Sequence, residues 1–208
     1  MRHISLWIAA ALVVTTSACK KDSDSTPAPL EAKTVTDINA NPADNGGFSM
    51  YFNLTTGTSV PATDSATNKW DIAFKTTTIK VNSGTSGPGT ASAQLVTTGF
   101  DDLIDAPENG YATDGATGFA IPAGTGNGWY SYTGAAASGP QHAILPIAGK
   151  TIVVKTVNGK YAKIQIVSYY KGNPNVSTAE FADLAKRPLG GYYTIRYMVQ
   201  ADGSRKLK

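Results

Sequence analysis

The 208-residue chain is poor in side chains that can hold a metal or attack a substrate. It has two histidines, His3 and His142, one cysteine, Cys19, and three methionines, Met1, Met50 and Met198. Imidazole serves as metal ligand and as general base, and thioether sulfur as a soft ligand. Ten tyrosines offset this scarcity. A phenol oxygen can ligate a metal, and its ring can stack on a flat molecule. Two of them, Tyr130 and Tyr132, stand close together in the run Gly128-Trp129-Tyr130-Ser131-Tyr132. His142 follows in the loop Gly139-Pro140-Gln141-His142.

Catalytic chemistry finds no support. A Ser-His-Asp triad would have to recruit His142, and the chain has no G-x-S-x-G elbow. Asp101 and Asp102, with Asp105 nearby, read as an exposed acidic loop. Residues 82–91 are Gly/Ser-rich but lack the lysine and the following helix of a phosphate cradle. One cysteine excludes an intrachain disulfide and a cysteine-type zinc site. The formal charge is +3 with scattered basic residues, so no nucleic-acid footprint is present. The reading is a binding protein, not an enzyme.

The position of Cys19 has its own meaning. Arg2 and His3 precede an apolar run over 4–14 that is short for a membrane span. Thr16-Ser17-Ala18-Cys19 then resembles a lipoprotein processing box. Residues 1–18 are expected to be a signal peptide and Cys19 the acylated first residue. Residues 19–32 are polar, with Pro27 and Pro29, and read as a flexible tether. The Lys20-Lys21-Asp22-Ser23-Asp24 start resembles an export tag for the outer face of the outer membrane. A lipid-anchored, cell-surface location is the expectation.

The elements that must position Tyr130, Tyr132 and His142 lie in 33–208, expected to be one all-β-dominated domain with few short helices. Its organising stretch is 151–170, where two β-rich runs flank Asn158-Gly159. That pair favours a two-residue type I′ turn. Such a turn pairs Val157 with Lys160, Lys155 with Ala162 and Val153 with Ile164. Val153, Ala162, Ile164 and Ile166 then share an apolar face, and Val154, Tyr161, Lys163 and Gln165 a wetter one. Short strands are expected over 33–38, 48–54, 92–98 and 129–132, with a longer run over 69–81. Residues 106–128 read as a long excursion, mobile or ordered by a ligand. Ser177 with Glu180 forms a capping box ahead of a short helix. In the closing strand 192–200, Tyr193, Ile195, Tyr197 and Val199 share one face.

Taken in order, several segments resemble the HmuY-like family of haem-binding lipoproteins. They are Trp70-Asp71-Ile72-Ala73-Phe74, the loop 82–89, Gly128-Trp129-Tyr130, Asn158-Gly159-Lys160-Tyr161-Ala162-Lys163-Ile164, and Tyr193-Thr194-Ile195-Arg196-Tyr197. The resemblance implies a β fold shaped like a right hand, with haem between a thumb and fingers built from long excursions. It implies haem collection at the cell surface and delivery to an outer-membrane haem transporter. The family's type member uses two axial histidines, one in the excursion and one just after the Gly-Trp strand. In this chain 106–127 holds no His, Met or Cys, and Gly134 stands where the second histidine is expected. The candidate haem-binding set is therefore His142, Tyr130, Tyr132, Met50 and Met198, with His142 as the iron ligand. The alternative is the same fold with another ligand: a small hydrophobic molecule, a glycan or a protein partner.

Overall fold

The structure is a computed structural model that describes residues 30–208. The expected signal peptide, Cys19 and the first part of the tether lie outside the described residues. Among the described residues eleven strands and one short α-helix follow in order, with a single 3-10 turn over Ala62–Asp64. They are β1 (Lys33–Asn39), β2 (Met50–Asn53), β3 (Thr58–Val60), β4 (Ile72–Lys75), β5 (Thr78–Val81), β6 (Ser92–Val96), β7 (Tyr130–Tyr132), β8 (Ile144–Pro146), β9 (Thr151–Lys155), β10 (Tyr161–Tyr170), α1 (Ala179–Ala182) and β11 (Gly190–Val199). The β-dominated class expected from the short apolar runs is what forms. No helix among the described residues is long and apolar enough to cross a membrane.

The strands make three antiparallel sheets: β1-β11-β10-β9-β6, β3-β2-β4-β5, and the two-stranded β7-β8. The two larger sheets face each other across the main core. Phe52 meets Tyr197 with ring centroids 6.0 Å apart, and Phe74 meets Tyr193 at 4.8 Å. Tyr193, Ile195 and Tyr197 point into this core, as their alternation requires. Trp129 and Tyr130 join it from the third sheet. The run over 69–81 is not one strand. It folds back at Thr76, whose φ is 49°, and β4 pairs with β5. Tertiary bonds hold that turn: the Thr76 N–H donates to Ala40 O, and Tyr193 Oη donates to Thr76 O.

The central hairpin forms, but its register is one residue away from the expected one. Tyr161 pairs with Lys155, Ala162 with Val154, Lys163 with Val153 and Ile164 with Ile152. The turn is the reason. Thr156 N–H donates to Lys160 O, and Gly159 N–H donates to Thr156 O. This encloses three residues, with only Gly159 (φ 74°) left-handed, as in a type I turn closed by a bulge. The main core therefore takes Ile152 and Val154 with Ala162, Ile164 and Ile166. Val153 goes to the opposite face, and that face is not wet. Leu103, Ala106 and Leu207 cover it, and Lys163 is buried there with its Nζ donating to Phe100 O (2.6 Å) and Leu103 O (3.0 Å). Two carbonyls and the Phe100 ring, 4.5 Å away, replace the water an ammonium would otherwise keep.

Two further expectations shift. The α1 cap is Thr178, not Ser177: Thr178 Oγ1 accepts from Phe181 N–H at 3.2 Å. The competing neighbour is Asn175, whose Oδ1 accepts from Ser177 N–H and draws that residue into the preceding turn. The excursion over 106–128 is tied down by its own chain. Ala112 and Ala93 exchange two backbone bonds of 2.9 Å, and buried Asp114 accepts from Val81 N–H and Ala120 N–H. Gly84, with φ 54°, lets the 82–91 loop touch the Asp114 carbonyl, where any Cβ would collide. The side chain of Asn82 closes that loop, donating to Thr67 O and Trp70 O and accepting from Gly89 N–H.

Candidate functional site

The site candidates separate once the three sheets are in place. In the β7-β8 hairpin Tyr130 pairs with Pro146, Ser131 with Leu145 and Tyr132 with Ile144. The ladder continues into the loop: Thr133 N–H donates to Ala143 O, and His142 N–H donates to Gly134 O at 2.7 Å. His142 thus stands directly across from Gly134, the position where the resemblance puts a histidine. Thr133 Oγ1 braces the loop, donating to Pro140 O and accepting from Ala143 N–H.

Tyr132 and His142 are brought together. Tyr132 Oη and His142 Nδ1 share a hydrogen bond of 2.7 Å, with ring centroids 6.0 Å apart. Both side chains are exposed, Tyr132 by 47%. Their backbones are held from several sides. Tyr132 N–H donates to Thr125 Oγ1 at 2.7 Å. His142 lies in the left-handed region (φ 51°), and its carbonyl accepts from Arg187 Nη1 at 3.0 Å. Arg187 in turn donates from Nε to Phe181 O and stacks 4.8 Å from the Phe181 ring. The short helix therefore helps set the histidine. Sequence reading missed Arg187, because nothing local links it to a residue 45 positions earlier.

The other candidates lie elsewhere. Tyr130 is buried beside Trp129, 4.9 Å between ring centroids, at the end of an aromatic cluster with Tyr169 and Tyr193. Burial pushes the Tyr169 phenol up to about 12 and raises the Tyr193 phenol well above its ordinary value, so both stay protonated and serve packing. Met50 pairs with Phe74 in the four-stranded sheet and lines a cleft with Asn45, Ser49 and Pro61. Met198 is buried on β11 opposite Lys163. Neither methionine shares a sheet with Tyr132 and His142. The acidic loop is used internally: Asp101 takes a bidentate pair of 2.8 Å bonds from Arg196, and Asp105 pairs with Lys206 at 3.0 Å. The Arg196 bonds hold the Asp101 carboxyl below its usual range. No group of three or more acidic, His or Cys side chains among the described residues could hold a metal ion.

What remains is an exposed phenol coupled to an imidazole at a braced hairpin end. This pair can ligate a metal through oxygen or nitrogen and can pass a proton between its members. An apolar cleft of about 610 Å³ opens on the other side of the hairpin, lined by Pro140, Leu145, Val176, Ala179 and Ala182. Ala143 and Leu145 face that way, toward Tyr170 and Phe181.

A family model described as HmuY protein matches residues 49–181. Among solved structures, the apo HmuY analog of Tannerella forsythia is 15% identical, with a TM-score of 0.47, covering 83% of this chain and 96% of that one. Apo PinO from Porphyromonas gingivitis is 16% identical, with a TM-score of 0.46, covering 82% and 97%. A candidate HmuY-like haem-binding protein from Bacteroides vulgatus is 17% identical, with a TM-score of 0.43, covering 80% and 91%. No curated protein matches the chain.

Proposed function

The chain belongs to the HmuY family, and from that premise we propose that it is a non-catalytic, cell-surface lipoprotein that binds haem non-covalently and presents it to an outer-membrane haem transporter. The observation that carries the reading is the Tyr132–His142 pair, with His142 across the ladder from Gly134. It supplies an exposed axial donor at the hairpin end where the family resemblance expects one. The donor set fits iron: phenol oxygen and imidazole nitrogen are both haem ligands. Haem, when bound, supplies the Lewis-acidic iron, and this chain supplies the axial atom and its orientation. A bis-histidine site within one molecule is excluded by arithmetic, since His142 is the only histidine after the expected signal peptide.

The test is an absorbance titration of the full-length chain with haem. The expected result is a shifted Soret band that saturates at one haem per chain. A flat titration at micromolar haem sinks the haem reading and leaves the same fold serving another ligand.

The proposed domain plan is a signal peptide over 1–18, acylated Cys19 with a tether to 32, and a β domain over 33–208. Attachment through Cys19 is supported by the sole cysteine standing between an apolar run and a polar tether. One acyl chain binds membranes weakly and several hold firmly. Wild type is expected in the detergent phase on partitioning, and Cys19→Ser in the aqueous phase. Equal solubility and equal processing of the two would remove the lipid anchor.

A further inference from the structure

We propose a separate binding site, for a neutral glycan, in the open cleft between β2, the end of the Ala62–Asp64 turn and the Gly/Ser-rich loop 82–91. The proposal does not rest on the haem reading: Tyr51, at the cleft, belongs to the four-stranded sheet, and Tyr132 to the two-stranded one. The cleft has a volume of about 420 Å³, within the usual range of small-molecule sites. Tyr51, Ser65, Thr85, Ser86 and Pro88 line it, and no charged side chain among the described residues does. The charges flanking Ser65 in sequence, Asp64 and Lys69, pair with each other at 3.0 Å.

The walls select the chemistry of the ligand. A phosphate, sulfate or carboxylate calls for Arg or Lys, and the cleft offers neither. A wholly apolar molecule would strip water from the hydroxyls and return no hydrogen bond. Those hydroxyls are available, because the fold uses only the backbone of the residues that carry them. Ser65 N–H donates to Ala62 O and its carbonyl accepts from Trp70 Nε1; Thr85 N–H donates to Asp114 O and Ser86 N–H to Ser83 O. The hydroxyls of Ser65, Thr85 and Ser86 and the Tyr51 phenol make no hydrogen bond among the described residues, so each can donate to or accept from a ligand. A sugar ring matches this mixture. Its hydroxyls meet those of the walls, and its C–H face suits the Tyr51 ring.

The cleft is also built in advance. Trp70, fully buried, braces two of its sides: its ring meets that of Tyr51 with centroids 4.9 Å apart, and its Nε1 donates to Ser65 O at 2.9 Å. Asn82 ties the loop to the same tryptophan, donating to Trp70 O and accepting from Gly89 N–H. A Cβ at Gly87 would collide with Trp70 and Asn82, so the loop backbone packs directly on that pair. Three segments far apart in sequence are thus fixed around one buried core before any ligand arrives. Such preorganisation lowers the ordering cost of binding.

The experiment screens the full-length chain against an array of neutral glucans, mannans and galactans, with sulfated and sialylated glycans alongside. The tightest neutral oligosaccharide is then titrated by calorimetry into wild type, Tyr51→Ala and Ser86→Ala. Wild type is expected to bind neutral glycans in preference to anionic ones. Tyr51→Ala is expected to weaken binding about tenfold through the lost ring contact. Ser86→Ala is expected to weaken it about three- to tenfold through one lost hydrogen bond. Ser86→Ala removes a single hydroxyl that the fold does not use, so it reports on the cleft even where Tyr51→Ala lowers the thermal melt. An array on which no neutral glycan is bound overturns the proposal. So does a preference for the sulfated or sialylated glycans, or a neutral glycan bound equally by wild type and Ser86→Ala.

Discussion

Aspartate in place of Ile164 is expected to abolish cooperative folding. Ile164 is fully buried on β10, between β9 and β11, and its side chain enters the core shared by all three sheets. The substitution removes an aliphatic side chain from that core and puts a carboxylate there with no cation to pair it. An unpaired buried charge is among the few single changes that cost more than about 4 kcal/mol. Whole domains are stable by only about 5–15 kcal/mol. Thermal and denaturant melts should show no native transition, or one at much lower temperature. Val153→Asp is the companion substitution on the opposite face of the hairpin. The sequence-based pairing puts Val153 beside Ile164, whereas the observed pairing sends it to the cluster of Leu103, Ala106 and Leu207. Both variants should fail, because both faces of the hairpin are covered. A melt of Ile164→Asp that matches wild type would falsify this placement of β10.

The second large effect is expected at Asp71. This carboxylate is 1% exposed and joins three segments far apart in sequence. Its Oδ2 accepts from Leu54 N–H at 2.9 Å, and its Oδ1 accepts from Val157 N–H at 3.0 Å. Asp71→Ala leaves both donors buried and unpaired. At about 1–3 kcal/mol for each orphaned donor, the loss is about 2–6 kcal/mol. Asp71→Asn retains one acceptor and turns an amide donor toward the other N–H, so its cost should be intermediate. Denaturant midpoints in the order wild type, Asn, Ala check this. Equal midpoints for wild type and Ala would show that the clamp contributes nothing.

Asp71 also carries a pH signature. Burial raises its carboxyl pKa, outweighing the two N–H bonds that lower it. The folded state then binds more protons than the unfolded state between the ordinary carboxylate value and the raised folded value. Stability from this group is greatest below that window and falls as pH rises through it. Asp71→Asn should remove that slope. Asp101, held low by Arg196, acts with the opposite sign. Its contribution is present above the ordinary carboxylate value and is lost as pH falls through the lowered folded value.

Local chemistry decided a good deal of this molecule. Short apolar runs broken by Gly, Pro and Asn can only make strands and turns, so the all-β class was legible from sequence. The alternation of Tyr193, Ile195 and Tyr197 named a core face, because strand side chains repeat every two residues. The absence of histidine, methionine and cysteine from 106–127 ruled out a nitrogen or sulfur side-chain ligand of those types there before any fold was known.

Other features were settled only by contacts between distant segments. The 157–159 turn depends on Asp71, which binds Val157 N–H from 86 residues away. Asn158-Gly159 by itself is equally compatible with a shorter loop, and that one-residue difference exchanges the faces of β9. Lys163 looked like a solvent-facing residue, but a carbonyl pair from 100–103 buries it. The coupling of Tyr132 to His142 needs β8 to return beside β7 with a ten-residue offset between the two side chains. Side-chain type announced both residues as donors. Only tertiary pairing, which brings together atoms that chain order keeps apart, put those two side chains in contact and left Tyr130, Met50 and Met198 elsewhere in the fold.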